Sequence, residues 1–297
     1  MTNFVIGYFG DGPWAHRALE RLLINPDISV AFVCSRHGSP DQVLSDLAGQ
    51  SGVPSLSHRD VNSDDFLGLI PAVDYDLFVS MSFDQIFSSE LIELPRLQTI
   101  NCHAGKLPFY RGRNVLNWVL INGETEFGIT VHQVDEGIDT GDILTQLTLP
   151  ITDEDTYATL LTRAHEACPE LLIETVEALR SGSVRRQRQS EIHPVGSYCR
   201  IRSAGDERLE WGQPSREIFN FVRAICRPGP EARSWIGASE IRINRVEERP
   251  SRGNGQLDPG TVTTIGSDYF DVATSDREIR VVEWRTIAEL QVGDCLK

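Results

Sequence analysis

The chain has 297 residues, 40% of them apolar, and 28 Lys plus Arg stand against 43 Asp plus Glu for a net charge of −15. That length gives a prior of about two domains, and no run reaches the roughly 18 apolar residues of a membrane span. The acid excess works against a large nucleic-acid partner, whose phosphates need facing cations, and Lys occurs only at Lys106 and Lys297. A small phosphorylated ligand held by a few local cations stays compatible.

The opening, MTNFVIGYFGDG, lacks a basic n-region and enters a strand at once, so no secretory leader is expected and the reading points to cytoplasm. FVIGYFG (Phe4–Gly10), the turn GDGP, the helical stretch WAHRALERLL and the strand ISVAFVCS form a βαβ pattern, which argues for a parallel sheet. The turn matches GxGxxG only in part; it is either a tight strand-to-helix turn or a helix start whose N–H groups meet a phosphate. Pro40–Ser51 is expected as a helix, VPSL as a short strand, VNSDDFLGLI as a helix and Tyr75–Met81 as a strand. After a loop and short helix come strand Leu97–His103, helix Asn114–Glu124, and strands Glu126–Glu136 and Asp142–Ile151. Thr152 and Asp155 are spaced as a capping box and should open a helix running to about Leu179, kinked at Pro169.

Gly182 to Tyr198, with the basic cluster Arg185–Gln189, reads as a solvated connector between domains. Beyond it come a helix over PSREIFNFVRAI and then short alternating strands, as in a small antiparallel barrel. The boundaries expected are 1–182 for an α/β catalytic domain, 183–198 for the linker and 199–297 for the β domain. Cys34, Cys102, Cys168, Cys199, Cys226 and Cys295 show neither CxxC nor paired ligand spacing, so reduced thiols are expected.

Chemistry concentrates between Thr99 and Leu144. Asn101 and His103 are two apart, so on a strand they face the same side. Asp139 falls in the turn after the next strand. An imidazole titrates near neutrality, a carboxylate can orient it, and an amide can donate to a developing oxyanion. With no Ser or Cys nucleophile on that face, the set suits direct attack by a substrate on an acyl carbon. His103, His132, Asp135, Asp139 and Asp142 could be drawn together around a metal, but neither HxH nor HExxH spacing is present and no metal is expected.

The stretch resembles the formyltransferase family that uses 10-formyltetrahydrofolate. The resemblance rests on Asn101-x-His103, on LPFYRGRN, on LNWVLINGE and on DEGIDTGDIL with Asp139 in its DTG, and extends weakly over the whole chain. It implies a Rossmann-like N-terminal domain and a smaller OB-like β-barrel. Asn101, His103 and Asp139 then match the family's catalytic set. The co-substrate would be N10-formyltetrahydrofolate, lying against the loop Ser82–Phe87 and the turn Asp135–Asp139. Its contacts by resemblance are Gln85, Ile86, Phe87, Arg113, Asp135, Glu136, Gly137, Ile138 and Asp139. In mechanism a primary amine attacks the formyl carbon. Either Asn101 and protonated His103 stabilise the oxyanion, or His103 is the base.

One departure bears on the acceptor. Many family members read HxSLLP, where this chain reads HAGKLP (His103–Pro108). Gly105 and Lys106, the GDGPW turn and RAICRPGPEA are similar to sugar N-formyltransferases acting on nucleotide-linked amino sugars. That implies an acceptor of the dTDP-4-amino-4,6-dideoxyglucose type, with a 3-amino sugar and a GDP or UDP carrier as alternatives, for surface polysaccharide or O-antigen synthesis, and a homodimer. Acceptor contacts are expected at Gly10, Gly12, Trp14, Lys106 and Tyr110, with Lys106 or the GDGPW turn on the diphosphate. The alternative is a methionyl-tRNA formyltransferase. A silent folate- or nucleotide-binding regulator and a deformylase-type hydrolase are the remaining readings.

Overall fold

Apolar runs without polar alternation become strands buried on both faces of a parallel sheet. The computed structural model of the chain describes residues 3–249 and 258–297. Its first half follows β1 (Phe4–Gly10), α1 (Gly12–Leu23), β2 (Ile28–Ser35), α2 (Gln42–Gln50), β3 (Ser55–Ser57), α3 (Asp64–Leu67), β4 (Leu77–Met81), α4 (Ser89–Glu93) and β5 (Thr99–His103). Then come β6 (Arg111–Gly112), α5 (Val115–Ile121), β7 (Glu126–Gln133), β8 (Ile143–Pro150), α6 (Tyr157–Arg180), α7 (Gln189–Ile192) and β9 (Tyr198–Cys199). The remainder is α8 (Ser215–Ile225), β10 (Ala232–Ile236), β11 (Ser239–Glu248), β12 (Val262–Ile265), β13 (Phe270–Ala273) and β14 (Glu278–Thr286). Two expected helices are shorter than read. VNSDDFLGLI keeps one turn, α3, capped by Ser63 Oγ accepting from Phe66 N–H at 3.3 Å. The Thr152–Asp155 box closes on itself, Thr152 N–H donating to Asp155 Oδ2 at 2.9 Å, and α6 starts only at Tyr157 before running through Pro169.

The chain divides into two compact units. One comprises the described residues of Met1–Gly112, Phe127–Leu149 and Arg163–Tyr198; the other those of Arg113–Glu126, Pro150–Thr162 and Cys199–Lys297. The first holds a seven-stranded sheet in the order β3-β2-β1-β4-β5-β7-β8, parallel from β3 to β5, with β7 antiparallel to β5. Strand order reverses between β1 and β4, and in such sheets ligands bind beyond the carboxyl ends of the strands near that point. One face of this sheet is covered by an aromatic cluster of Phe9, Phe32, Phe66, Tyr75, Phe78 and Phe87. Gly7 makes room for it: a Cβ there would stand 2.6 Å from the rings of both Phe32 and Phe78.

The second unit carries a five-stranded antiparallel sheet in the order β10-β11-β14-β13-β12. Its two edges meet the C-terminal tail. Trp235 and Lys297 exchange backbone hydrogen bonds of 2.8 and 2.9 Å, while Leu296 N–H donates to Gly260 O and Val262 N–H to Asp294 O, both at 2.8 Å. The tail thus joins both edge strands, as barrel closure requires. Among the described residues no helix is long and apolar enough to cross a membrane.

All six cysteines are free thiols, and of them Cys295 alone is exposed. Burial pushes the Cys34 thiol up to about 12 and that of Cys199 up to about 11. Because the thiolate is the reactive form, iodoacetamide at pH near 8 should modify Cys295 first in native protein. Peptide mass mapping that found Cys34 or Cys102 labelled at the same rate would contradict this packing.

Candidate active site

β5 ends in the site. Asn101 and His103 lie on one side of that strand, while Cys102 between them is buried against α6, its Sγ 3.7 Å from Cys168 O. The antiparallel neighbour β7 brings His132 into register opposite Asn101. The turn after β7 supplies Asp139, whose backbone is left-handed at φ 55°. His103 Nδ1 stands 3.6 Å from Asp139 Oδ2, and His132 Nε2 stands 3.4 Å from Asp139 Oδ1. Gly112 N–H donates to Asp139 Oδ2 at 2.9 Å.

The tautomers follow from the partners, because a carbonyl can only accept. His103 Nε2 is 2.7 Å from Tyr110 O and therefore carries a proton. In the neutral ring the lone pair then sits on Nδ1, facing Asp139. His132 Nδ1 is 2.7 Å from Gln133 O and is likewise the donor. Its Nε2 can then accept from Asn101 Nδ2, 3.3 Å away. That contact uses one N–H of the Asn101 amide and leaves the second for another acceptor.

Burial by itself would raise the Asp139 carboxyl, but with both rings in their protonated form the charge of His103, the Nε2–H bond and charge of His132 and the Gly112 N–H outweigh it and hold the carboxyl well below the usual carboxylate range. A carboxyl lowered on folding adds stability that is present above its unfolded value, about 3.9, and fades as pH falls toward the folded value. Urea melts should therefore show Asp139→Asn less stable than the native chain at pH 7, with the gap narrowing by pH 3. A gap that widened in acid would reverse the assignment.

Two further side chains shape the loop after His103. Thr130 Oγ1 donates to Gly105 O at 2.7 Å, and Gln146 Nε2 donates to Leu107 O at 2.9 Å and to Thr130 Oγ1 at 2.8 Å. Gly105 packs between the His103 ring and the Tyr110 carbonyl. A Cβ built on it would lie 2.4 Å from His103 Nε2 and 2.5 Å from Tyr110 O. The glycine is thus what allows the His103–Tyr110 bond.

A formyl transferase family model matches residues 4–176, and a formyl transferase C-terminal domain model matches residues 202–290. The chain belongs to the formyl transferase family. It is 30% identical over 305 aligned residues to a methionyl-tRNA formyltransferase of Geotalea uraniireducens, covering 100% of this chain and 95% of that protein. With the methionyl-tRNA formyltransferase of Citrifermentans bemidjiense it shares 32% over 300 aligned residues, 98% of this chain and 90% of the other. Among solved structures it is similar to WlaRD, a sugar 3N-formyl transferase solved in the presence of dTDP and 5-N-formyl-THF. There the TM-score is 0.69 at 21% identity, with 98% of this chain and 100% of that one covered. An N-formyltransferase from Helicobacter canadensis, in complex with folinic acid and dTDP-3-aminofucose, gives a TM-score of 0.71 at 20% identity, covering 94% and 99%. Both likenesses are to the fold.

In this formyl transferase the side chains of the two expected folate loops are largely occupied in holding the loops. Gln85 accepts from Val61 N–H at 3.0 Å and donates to His58 O at 2.9 Å. Phe87 is buried against Phe9, ring centroids 4.8 Å apart. Asp135 Oδ1 accepts from Gly137 N–H at 3.1 Å and from Thr140 Oγ at 2.5 Å, and Glu136 accepts from Ser89 Oγ at 2.6 Å. Ile86 and Ile138 are instead 65% and 53% exposed. These are exposed apolar side chains on loops whose polar side chains are already paired. Arg113 is exposed and belongs to the other unit.

Of the expected acceptor contacts, Gly12 N–H donates to Asp41 Oδ2 at 2.8 Å, and His16 Nε2 is 2.6 Å from the same oxygen. The helix-start amide that a phosphate would use there meets an internal carboxylate. Gly10 ends β1, and the Trp14 ring stands edge-on to His165 at 4.8 Å. Lys106 is half-buried with its backbone and Cβ against Gly128, and Tyr110 contributes its carbonyl to His103. Among the described residues no group of three His, Cys, Asp or Glu side chains is arranged to hold a metal ion. His132 has a place in the site that spacing along the chain does not give: the one signal for it is strand pairing opposite Asn101.

Proposed function

We propose that the chain transfers the formyl group of N10-formyltetrahydrofolate to the amine of a nucleotide-linked amino deoxysugar, with dTDP-4-amino-4,6-dideoxyglucose as the representative acceptor and surface polysaccharide synthesis as its use. The observation that carries the choice of acceptor is the net charge of −15 with Lys only at 106 and 297, which suits a small acceptor and works against gripping tRNA. The HAGKLP loop supports the same choice. So do the folds of WlaRD and the Helicobacter canadensis enzyme, which were solved with dTDP or a dTDP-sugar.

The bound co-substrate supplies an electrophilic formyl carbon. The second N–H of Asn101 donates to the oxyanion that forms when an amine adds to it, and one such donor contributes about 3 kcal/mol. His103 presents its Nδ1 lone pair as the base for the amine proton, with Nε2–H held by Tyr110 O. The imidazolium so formed faces the Asp139 carboxylate 3.6 Å away; as the adduct collapses, its bond to folate N10 breaks and the departing nitrogen takes the proton back from His103. His132 orients Asn101 from behind.

The second reading, formylation of methionyl-tRNA, is favoured by identities of 30% and 32% to proteins of that name. The two are separated by incubating the protein and 10-formyltetrahydrofolate with a panel of nucleotide-linked amino sugars and, in parallel, charged initiator tRNA, following folate release and product mass. Formylation of the tRNA alone would overturn the proposal. Formate release without acceptor would mark a hydrolase.

A further inference from the structure

Arg185, Arg186, Gln187 and Arg188 are exposed, but Gln189, next in the chain, is only 3% exposed. A buried amide is costly unless both its ends are partnered. Here both are. Gln189 Nε2 donates to Asp139 O at 2.8 Å and to Gly141 O at 2.7 Å. Its Oε1 accepts from Arg111 Nε at 3.0 Å and Nη2 at 2.7 Å. Arg111 is itself buried and fixed, its Nη1 donating to Val195 O at 3.1 Å and to the Tyr198 hydroxyl at 3.3 Å. The segment is docked by backbone as well: Gln187 and Ile143 exchange two bonds of 2.9 Å, and Arg111 N–H donates to Ser197 O at 3.0 Å.

These bonds converge on one residue. Asp139 is a non-glycine residue in left-handed backbone, a state that persists only where the surroundings over-determine it. The main chain around it is gripped by Gln189, and its carboxylate is gripped by Gly112, the neighbour of Arg111. We infer that Gln189, oriented by Arg111, is a positioning residue: its amide locks the Asp139–Gly141 turn and so sets the Asp139 carboxylate between His103 and His132. The catalytic consequence rests on the reading of Asp139 given above, whereas the geometry can be tested without any acceptor.

The test uses the full chain labelled with ¹⁵N-histidine, in native form and as Gln189→Glu, Gln189→Ala and Asp139→Asn. Gln189→Glu keeps a partner for Arg111 but removes both N–H donors; Gln189→Ala removes every contact. Ring nitrogen shifts of His103 and His132, assigned from single His→Gln variants, should move in both Gln189 variants in the direction that Asp139→Asn moves them. Those of His16, His37, His58 and His165 should stay, and both variants should remain folded, with Tm lowered by the buried groups left unpaired. With dTDP-4-amino-4,6-dideoxyglucose as acceptor, kcat should fall about tenfold or more, the scale of a misplaced catalytic group. Unmoved His103 and His132 shifts in either folded variant would overturn the inference. So would failure of both variants to fold, which would make Gln189 a fold determinant. Moved shifts with unchanged kcat would uphold the positioning and overturn the catalytic reading of Asp139.

Discussion

Replacing His103 by Ala is expected to lower kcat for formyl transfer by about 10²–10⁴-fold, the range for a positioned general base, with the fold intact. The ring packs at the end of β5, and its Nε2–H bond to Tyr110 O, in a half-exposed residue, is lost together with the side chain. That costs about 1 kcal/mol, too little to unfold a domain of this size. What disappears is the lone pair on Nδ1 and the site where Asp139 stabilises charge. Single-turnover folate release in the presence of the amino-sugar nucleotide reads the step directly. Retention of a substantial part of the native rate would remove His103 from the mechanism.

The second large effect is expected at a residue with no functional group. Gly105→Ala puts a Cβ within 2.4 Å of His103 Nε2 and 2.5 Å of Tyr110 O. One of the two must move, and the ring is the softer partner because the loop is pinned by Thr130 and Gln146. Overpacking of this kind costs about 1–3 kcal/mol in stability. A displacement of about 1 Å at the base costs on the order of 10²-fold in rate. The variant should thus lose far more in kcat than its Tm suggests. Combined with His103→Ala it should add almost nothing, since both changes act through one ring. Additive losses would mean that Gly105 acts elsewhere.

These effects trace to residues of different legibility. β1, β2 and β4 were readable because buried parallel strands are plain apolar runs, and Asn101, His103 and Asp139 because they stand in a dense local motif. The two family models and the strand order agree with the α/β and antiparallel β assignment. α3 was overread: VNSDDFLGLI has a helical apolar spacing, but Gly68 and Pro71 let the chain leave after one turn to bury Phe66 against Phe9 and Phe32. His132 is drawn beside His103 and Asp139 only in the rejected metal reading, and Gln189 is not legible as part of the site. Their partners, Asn101 and Asp139, lie 31 and 50 residues away, and such pairing is fixed by sheet register and docking rather than by spacing. The GDGPW turn shows the converse. Its glycines suggest a phosphate, yet the carboxylate that meets Gly12 comes from Asp41, which also caps α2 through Val43 and Leu44 N–H.

The most direct test of the account is one reaction holding both acceptors. Native protein and His103→Ala are each mixed with 10-formyltetrahydrofolate, dTDP-4-amino-4,6-dideoxyglucose and charged initiator tRNA, and kcat/KM is obtained for each acceptor from the two formylated products. Formyl transfer to the amino sugar by the native chain, lost in His103→Ala, with the tRNA left unmodified, is the result predicted. Efficient formylation of the tRNA with the sugar untouched, or transfer that survives the loss of His103, would contradict it.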